Sequence, residues 1–115
     1  MERHQTGFKT SSAGVWSAVA DRSGRSRSQW AAEVLDLVAA GQRVPKALRG
    51  GRRFRSDRGT EQVVSISGLA DGQYTAWAAA AAAAGLTVNR WACIWLDEVA
   101  GVTDLRDQLV KRLPR

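Results

Sequence analysis

The shortest regular pattern in the chain lies at residues 63–67, VVSIS, where β-branched Val64 and Ile66 alternate with Ser65 and Ser67. A period of two on β-branched residues predicts a short strand. A helical period follows. Asp71 is a candidate N-cap, Tyr74 and Trp77 fall three apart on one face, and Ala78 to Ala84 add strong helix propensity. Gly85 supplies the left-handed residue that ends such a helix. Thr87 then opens a second helix in which Trp91, Trp95 and Val99 recur every four residues, with Ile94 and Leu96 beside them, as its expected buried stripe. Gly101 closes it. Earlier in the chain the same order appears: a weaker strand over 3–8, then a helix opened by Ser11 or Ser12, with Val15, Trp16, Val19 and Ala20 inward and Gly24 at its end. Ser26 and Gln29 form a capping box for the next helix, whose apolar face is Trp30, Val34, Leu37 and Val38. After Gly101, Thr103 is a candidate cap for a last short helix with Leu105, Leu109 and Leu113 on one side.

The similarity of the two ends is a repeat at an offset of 61 residues: Trp16, Gly24 and Trp30 return as Trp77, Gly85 and Trp91. Aligned without gaps, residues 16–39 and 77–100 are identical at ten of 24 positions, including Leu35/Leu96, Asp36/Asp97 and Val38/Val99. Gly7 and Gly68 share the offset, just before Phe8 and Leu69. The chain therefore divides into a first unit (1–40), a linker (41–60), a second unit (61–101) and a short C-terminal helix or tail (102–115). The tryptophans, at helical spacing among Val, Ile and Leu, read as core rather than as stacking platforms for bases.

Composition narrows the function classes. The 115 residues are 44% hydrophobic and 24% charged, with a single Cys and a single His, which suits one soluble domain. Cys93 alone excludes an internal disulfide and any multi-cysteine zinc site. Cys93 reads as a small, half-buried residue and His4 as a polar strand residue; together they offer no nucleophile–base pair or metal set. No nucleotide loop or apolar carboxylate pair is present, so no enzyme, cofactor or small-molecule substrate is expected. The apolar run Ala76–Ala84 falls well short of the ~20 residues that cross a bilayer, and the polar start MERHQTGFKTSS is no secretory leader. A cytoplasmic location without a membrane partner is the expectation.

Charge points to a partner. The net charge is +6, and residues 41–60 alone hold seven Lys or Arg against Asp57. Six of those seven are Arg, whose planar forks suit phosphates. Gly41, Pro45, Gly50, Gly51 and Gly59 make this stretch read as a flexible basic linker, disordered in free solution because only Val44, Ala47, Leu48 and Phe54 are apolar. Arg49, Arg52, Arg53 and Arg55 are its expected phosphate contacts, and a nucleic acid the expected partner.

Strand, helix, a Gly-x-[Ser/Thr]-x-[Ser/Asn] turn and a second helix, seen here at Gly24–Ser28 and Gly85–Asn89, resemble the ribbon-helix-helix family of the Arc and MetJ repressors. Two units in one chain are similar to the tandem TraY-type relaxosome accessory proteins of conjugative plasmids. The resemblance spans about 40 residues at each end and implies a mainly α fold with a short two-stranded antiparallel ribbon, the two units forming an intramolecular pseudo-dimer. A lone unit of that size buries too little apolar surface to stand alone, and a linker of twenty residues at ~3.3 Å each reaches from one unit to the other.

The resemblance also implies a sequence-specific double-stranded DNA-binding protein, either a transcriptional repressor or a plasmid relaxosome or partition accessory factor. Its ribbon enters the major groove, with Arg3 and Gln5 from one strand and Ser65 and Ser67 from the other on base edges. The second helices bring Ser26, Arg27 and Ser28, and Thr87, Val88 and Asn89, to phosphates through main-chain amides. Counting back from Gly85 without a gap puts Ser65 and Ser67 inward; a bulge at Gly68 restores their outward facing. The same bulge at Gly7 instead turns His4 and Thr6 outward in place of Arg3 and Gln5, so the register of the first strand stays open. Side-by-side association of two chains on DNA also stays open. The alternative is a protein-interaction module such as an antitoxin that neutralises a partner, against which stands the short tail after Gly101.

Overall fold

The computed structural model describes residues 4–50 and 62–102, with side chains from Thr6 onward in the first stretch. The repeat is visible element by element. Strand β1 (His4–Thr10) leads to helices α1 (Ala13–Arg22) and α2 (Arg27–Ala39), and strand β2 (Gln62–Leu69) leads to α3 (Gln73–Ala83) and α4 (Val88–Ala100). The offset of 61 residues that relates the sequences maps α2 onto α4 end for end. Both turns between paired helices close alike: Arg25 N donates to Ala20 O at 3.0 Å and Leu86 N to Ala81 O at 2.9 Å, with Gly24 and Gly85 in the left-handed region expected of them. Ser26 Oγ accepts from Gln29 N at 3.1 Å and Thr87 Oγ1 from Arg90 N at 3.2 Å, the expected caps.

The two strands, one from each half, pair with each other as a two-stranded antiparallel sheet. Phe8 faces Val64 and Thr6 faces Ile66, then the register slips so that His4 pairs with Leu69. The extra residue lies on β2 by Gly68, whose φ of 73° is accessible to glycine and strained for other residues. Val64, Ile66 and Leu69 are buried as a result, while Ser65 and Ser67 face out. Gly7 lacks the positive φ that marks Gly68.

The core joins both halves. Phe8, Trp16, Trp30, Trp77 and Trp91 are all at most 2% exposed, together with Val34, Leu35, Ile66 and Leu96. Hydrogen bonds between the halves are exchanged: Trp16 Nε1 donates to Asp97 Oδ1 at 2.7 Å, and Trp77 Nε1 donates to Asp36 Oδ1 at 2.8 Å. Asp36 and Asp97 are equivalent under the repeat, as are the two tryptophans, so each half supplies the acceptor for the other half's indole.

Several local expectations give way. Asp71 does not cap α3; β2 runs on to Leu69, the chain turns through Gly72 at the N-cap, and Gln73 Oε1 accepts from Ala70 N at 3.0 Å. Ser12 is the N-cap of α1 but makes no side-chain cap bond; its own amide donates to Thr10 Oγ1 instead. Trp95 is 40% exposed rather than part of the buried stripe of α4, which follows Trp91, Ala92, Leu96, Val99 and Ala100. The first half of the linker is ordered, not disordered. Residues 46–48 form a 3₁₀ turn, Val44 and Leu48 are buried, and Trp30 Nε1 donates to Leu48 O at 2.8 Å. Two apolar side chains and one indole needing an acceptor suffice to dock ten residues. Phe54 and the helix expected from Thr103 lie outside the described residues.

Among the described residues no group of His, Cys, Asp or Glu is placed to hold a metal ion. No helix among them is long and apolar enough to cross a membrane.

Candidate nucleic-acid interface

The pairing of β1 with β2 sorts the ribbon's side chains into two faces by strand alternation. Thr6, Phe8, Val64 and Ile66 turn toward the helices. Gly7 and Lys9 of β1, opposite Ser65 and Val63 of β2, turn away from them and are exposed, as is Ser67. Ser65 and Ser67 thus stand where the bulge at Gly68 was expected to put them. Gln5 lies within β1, and Arg3 lies outside the described residues.

Lys9 and Val63 are the two outward residues that sequence reasoning misses. Lys9 falls beyond a strand expected to end at Phe8, whereas β1 continues to Thr10. The signal is present in the period of two, Gly7 then Lys9. Val63 reads as one more apolar strand residue, yet it is 59% exposed. An aliphatic side chain so placed is suited to the methyl group of thymine, and a lysine to acceptors on guanine.

The N-termini of α2 and α4 flank this ribbon and are tied to it by side chains. Ser28 Oγ accepts from Ser67 N at 3.0 Å, and Asn89 Oδ1 accepts from Lys9 N at 2.9 Å. Ser28 and Asn89 are repeat equivalents, and each anchors the strand of the opposite half. Their side-chain oxygens therefore hold the ribbon in place, while Ser26 and Thr87 cap their helices. What these turns leave for an anion is the main-chain amides of the first helical turn, with the positive end of each helix dipole. Arg27 sits at one such terminus, half-buried, with Nη1 donating to Ser17 Oγ at 3.3 Å; Arg90 is exposed at the other. Val88 packs against the core. Arg25, next to the first turn, is engaged by Glu33 at 2.7 Å.

The described part of the linker lies elsewhere. Gly50 N donates to Val99 O at 2.9 Å, ten residues along α4 from the Asn89 that holds Lys9, hence about 15 Å from the ribbon at the α-helical rise. Arg49, with Nε donating to Val44 O at 3.2 Å, belongs to that far end. Arg52, Arg53 and Arg55 lie outside the described residues.

An open cleft of about 350 Å³ adjoins the ribbon, between Ser26, Ser28 and Gln29 at the start of α2 and Ser67, Gly68 and Gln73 of the second half. Asp36 at its back accepts from both Gln73 and Trp77.

No family model matches this chain, and neither does any curated protein or solved structure.

Proposed function

We propose that the chain is a tandem ribbon-helix-helix protein, its two units joined as a pseudo-dimer within one molecule, that binds double-stranded DNA by laying the ribbon in the major groove. The observation that carries this reading is the ribbon's outward face, Gly7, Lys9, Val63, Ser65 and Ser67, set between two helix N-termini that Ser28 and Asn89 fix to it. Such a ribbon is narrow enough for a major groove and presents donors, acceptors and one aliphatic side chain. The flanking amides suit phosphates on either side. The net charge of +6 favours a polyanion. Repression, or an accessory role in plasmid relaxation or partition, are the tasks this binding would serve.

A selection on random duplexes tests the reading. The unmodified chain should enrich a defined sequence, and the combined change Lys9→Ala, Ser65→Ala and Ser67→Ala should abolish enrichment while leaving the fold intact by circular dichroism. Failure to retain any duplex at low salt would overturn it.

A further inference from the structure

We propose that the docked segment 41–50 is a second polyanion-binding face whose occupant is a second DNA duplex, so that one molecule holds two duplexes together. The inference rests on the DNA reading of the ribbon and adds a separate surface to it. The segment joins the two helix ends that lie away from the ribbon. At one end Gln42 N donates to Leu37 O at 2.9 Å as the chain leaves α2; at the other Gly50 N donates to Val99 O at 2.9 Å in the last turn of α4. The opposite ends of these helices are the ones held to the ribbon, by Ser28 and by Asn89. Each anchor is thus about 15 Å of helix from its end of the segment. Helix α1 reaches the same place: a Cβ on Gly50 would lie 3.3 Å from Val19 Cγ2, and exposed Arg22 stands one turn beyond Val19.

What the segment shows to solvent is cationic. Val44 and Leu48 are buried beneath it, while Arg43, Lys46 and Arg49, three residues apart, are exposed. Neighbours in this row are at most ~10 Å apart along the chain, so the row can follow one strand's phosphates, which recur every ~3.4 Å of duplex axis. Among the described residues none of the three forms an ion pair. The carboxylates at this end, Asp21 and Glu98, stand against these three and Arg22. Like charges in a row repel, and a free loop would relieve this by moving. Here Val44, Leu48, the Trp30 bond to Leu48 O and the close seat of Gly50 on Ala100 hold the backbone. Arg49 Nε donates to Val44 O at 3.2 Å, which leaves the Nη groups of its fork for an oxyanion. Cations fixed in this way lose less freedom on binding. Pro45 and Ala47 are the only apolar side chains the segment exposes, too little for the centre of a protein interface, and a regular polyanion fits instead. A straight duplex on the ribbon brings its phosphates to the helix N-termini, about 15 Å short of this row, so the row faces a different duplex.

The test uses the full chain and two duplexes, one of the selected sequence fixed to beads and one of unrelated sequence carrying a fluorophore. The chain should bring the second duplex onto the beads. Arg43→Gln with Lys46→Gln, which spares the bond from Arg49 to Val44, should cut that capture at least about tenfold, with affinity for the first duplex changed less than about twofold. Either change alone should cut it about threefold, and decides the matter if the double variant misfolds by circular dichroism. Retention of the first duplex without capture of the second, or capture that the glutamines leave unchanged, overturns this proposal and leaves the ribbon reading intact. Failure to retain the first duplex overturns both. Sedimentation showing a dimer during capture also overturns the proposal, since each chain would then hold one duplex. So does a poly-glutamate peptide that binds the row more tightly than duplex does, since the partner would then be an acidic protein.

Discussion

Trp16 and Trp77 are repeat equivalents, both fully buried, and each donates to a carboxylate of the other half. The two acceptors differ in their settings. Asp97 is 8% exposed, whereas Asp36 is exposed and also accepts from Gln73 at 2.8 Å. A hydrogen bond to a charged group contributes about 1.5–3 kcal/mol, and its loss costs most where water cannot replace the donor. Trp16→Phe should therefore destabilise by about 1 kcal/mol more than Trp77→Phe, the volume removed being the same; urea midpoints at constant m-value measure the difference. On the ribbon, Val63→Ser and Lys9→Ala should each reduce discrimination between the selected duplex and a singly altered one, by about 1–3 kcal/mol for each base left unread. Competition binding at fixed salt reads this out. Which way a ribbon side chain faces is partly legible in the sequence. Ser65 and Ser67 can be found because the alternation around Gly68 makes sense in one facing only. Ser28 and Asn89 read as phosphate contacts because nothing local reveals that their side-chain oxygens serve a strand 39 and 80 residues away.

Helix ends are the most legible elements, because Gly24, Gly85, Gly101, Ser26 and Thr87 act through their immediate neighbours. The start of α3 is not, since Asp71 competes with a strand that runs longer than its alternation suggests. The docking of residues 41–50 is hidden by composition: Gly, Pro and Arg announce a loop, and the two apolar residues that fix it are few. One glycine there is required by space. A Cβ on Gly50 would lie 2.0 Å from Ala100 O, so Gly50→Ala should detach the segment from α4 or force it outward, costing about 1–3 kcal/mol. Loss of amide protection at residues 46–50, with the ribbon still protected, is the expected exchange pattern. Gly68→Ala should act differently. It forces a φ of 73° on alanine, at about 1–2 kcal/mol, and relief by register slip would turn Ser65 and Ser67 inward.

At the level of the whole molecule, the sheet, both exchanged Trp–Asp bonds and both strand anchors cross between the halves. Unfolding should accordingly be a single transition, with tryptophan emission and far-UV circular dichroism tracing the same urea curve. Two separated curves would mean that one half survives the other. The linker's charge belongs to this scale as well. Replacing Arg52, Arg53 and Arg55 with Ala should weaken binding to all duplexes alike and shallow the salt dependence by roughly 0.9 in log–log slope for each phosphate no longer neutralised. That each half needs a partner is legible from size, since a unit of about 40 residues has too little apolar surface to persist unaided; that the two strands would pair in one ribbon is what the family resemblance adds.

A ribbon whose two strands belong to a single polypeptide has a consequence for dosage. When two separate chains must meet to make a binding surface, dilution dissolves it, and the assembled fraction falls steeply as copies become scarce. Here Thr6 and Ile66, or Phe8 and Val64, meet at any dilution. Under the proposed function, with one chain to a site, occupancy would rise with the first power of the number of molecules, whereas side-by-side binding of two chains would restore a steeper dependence.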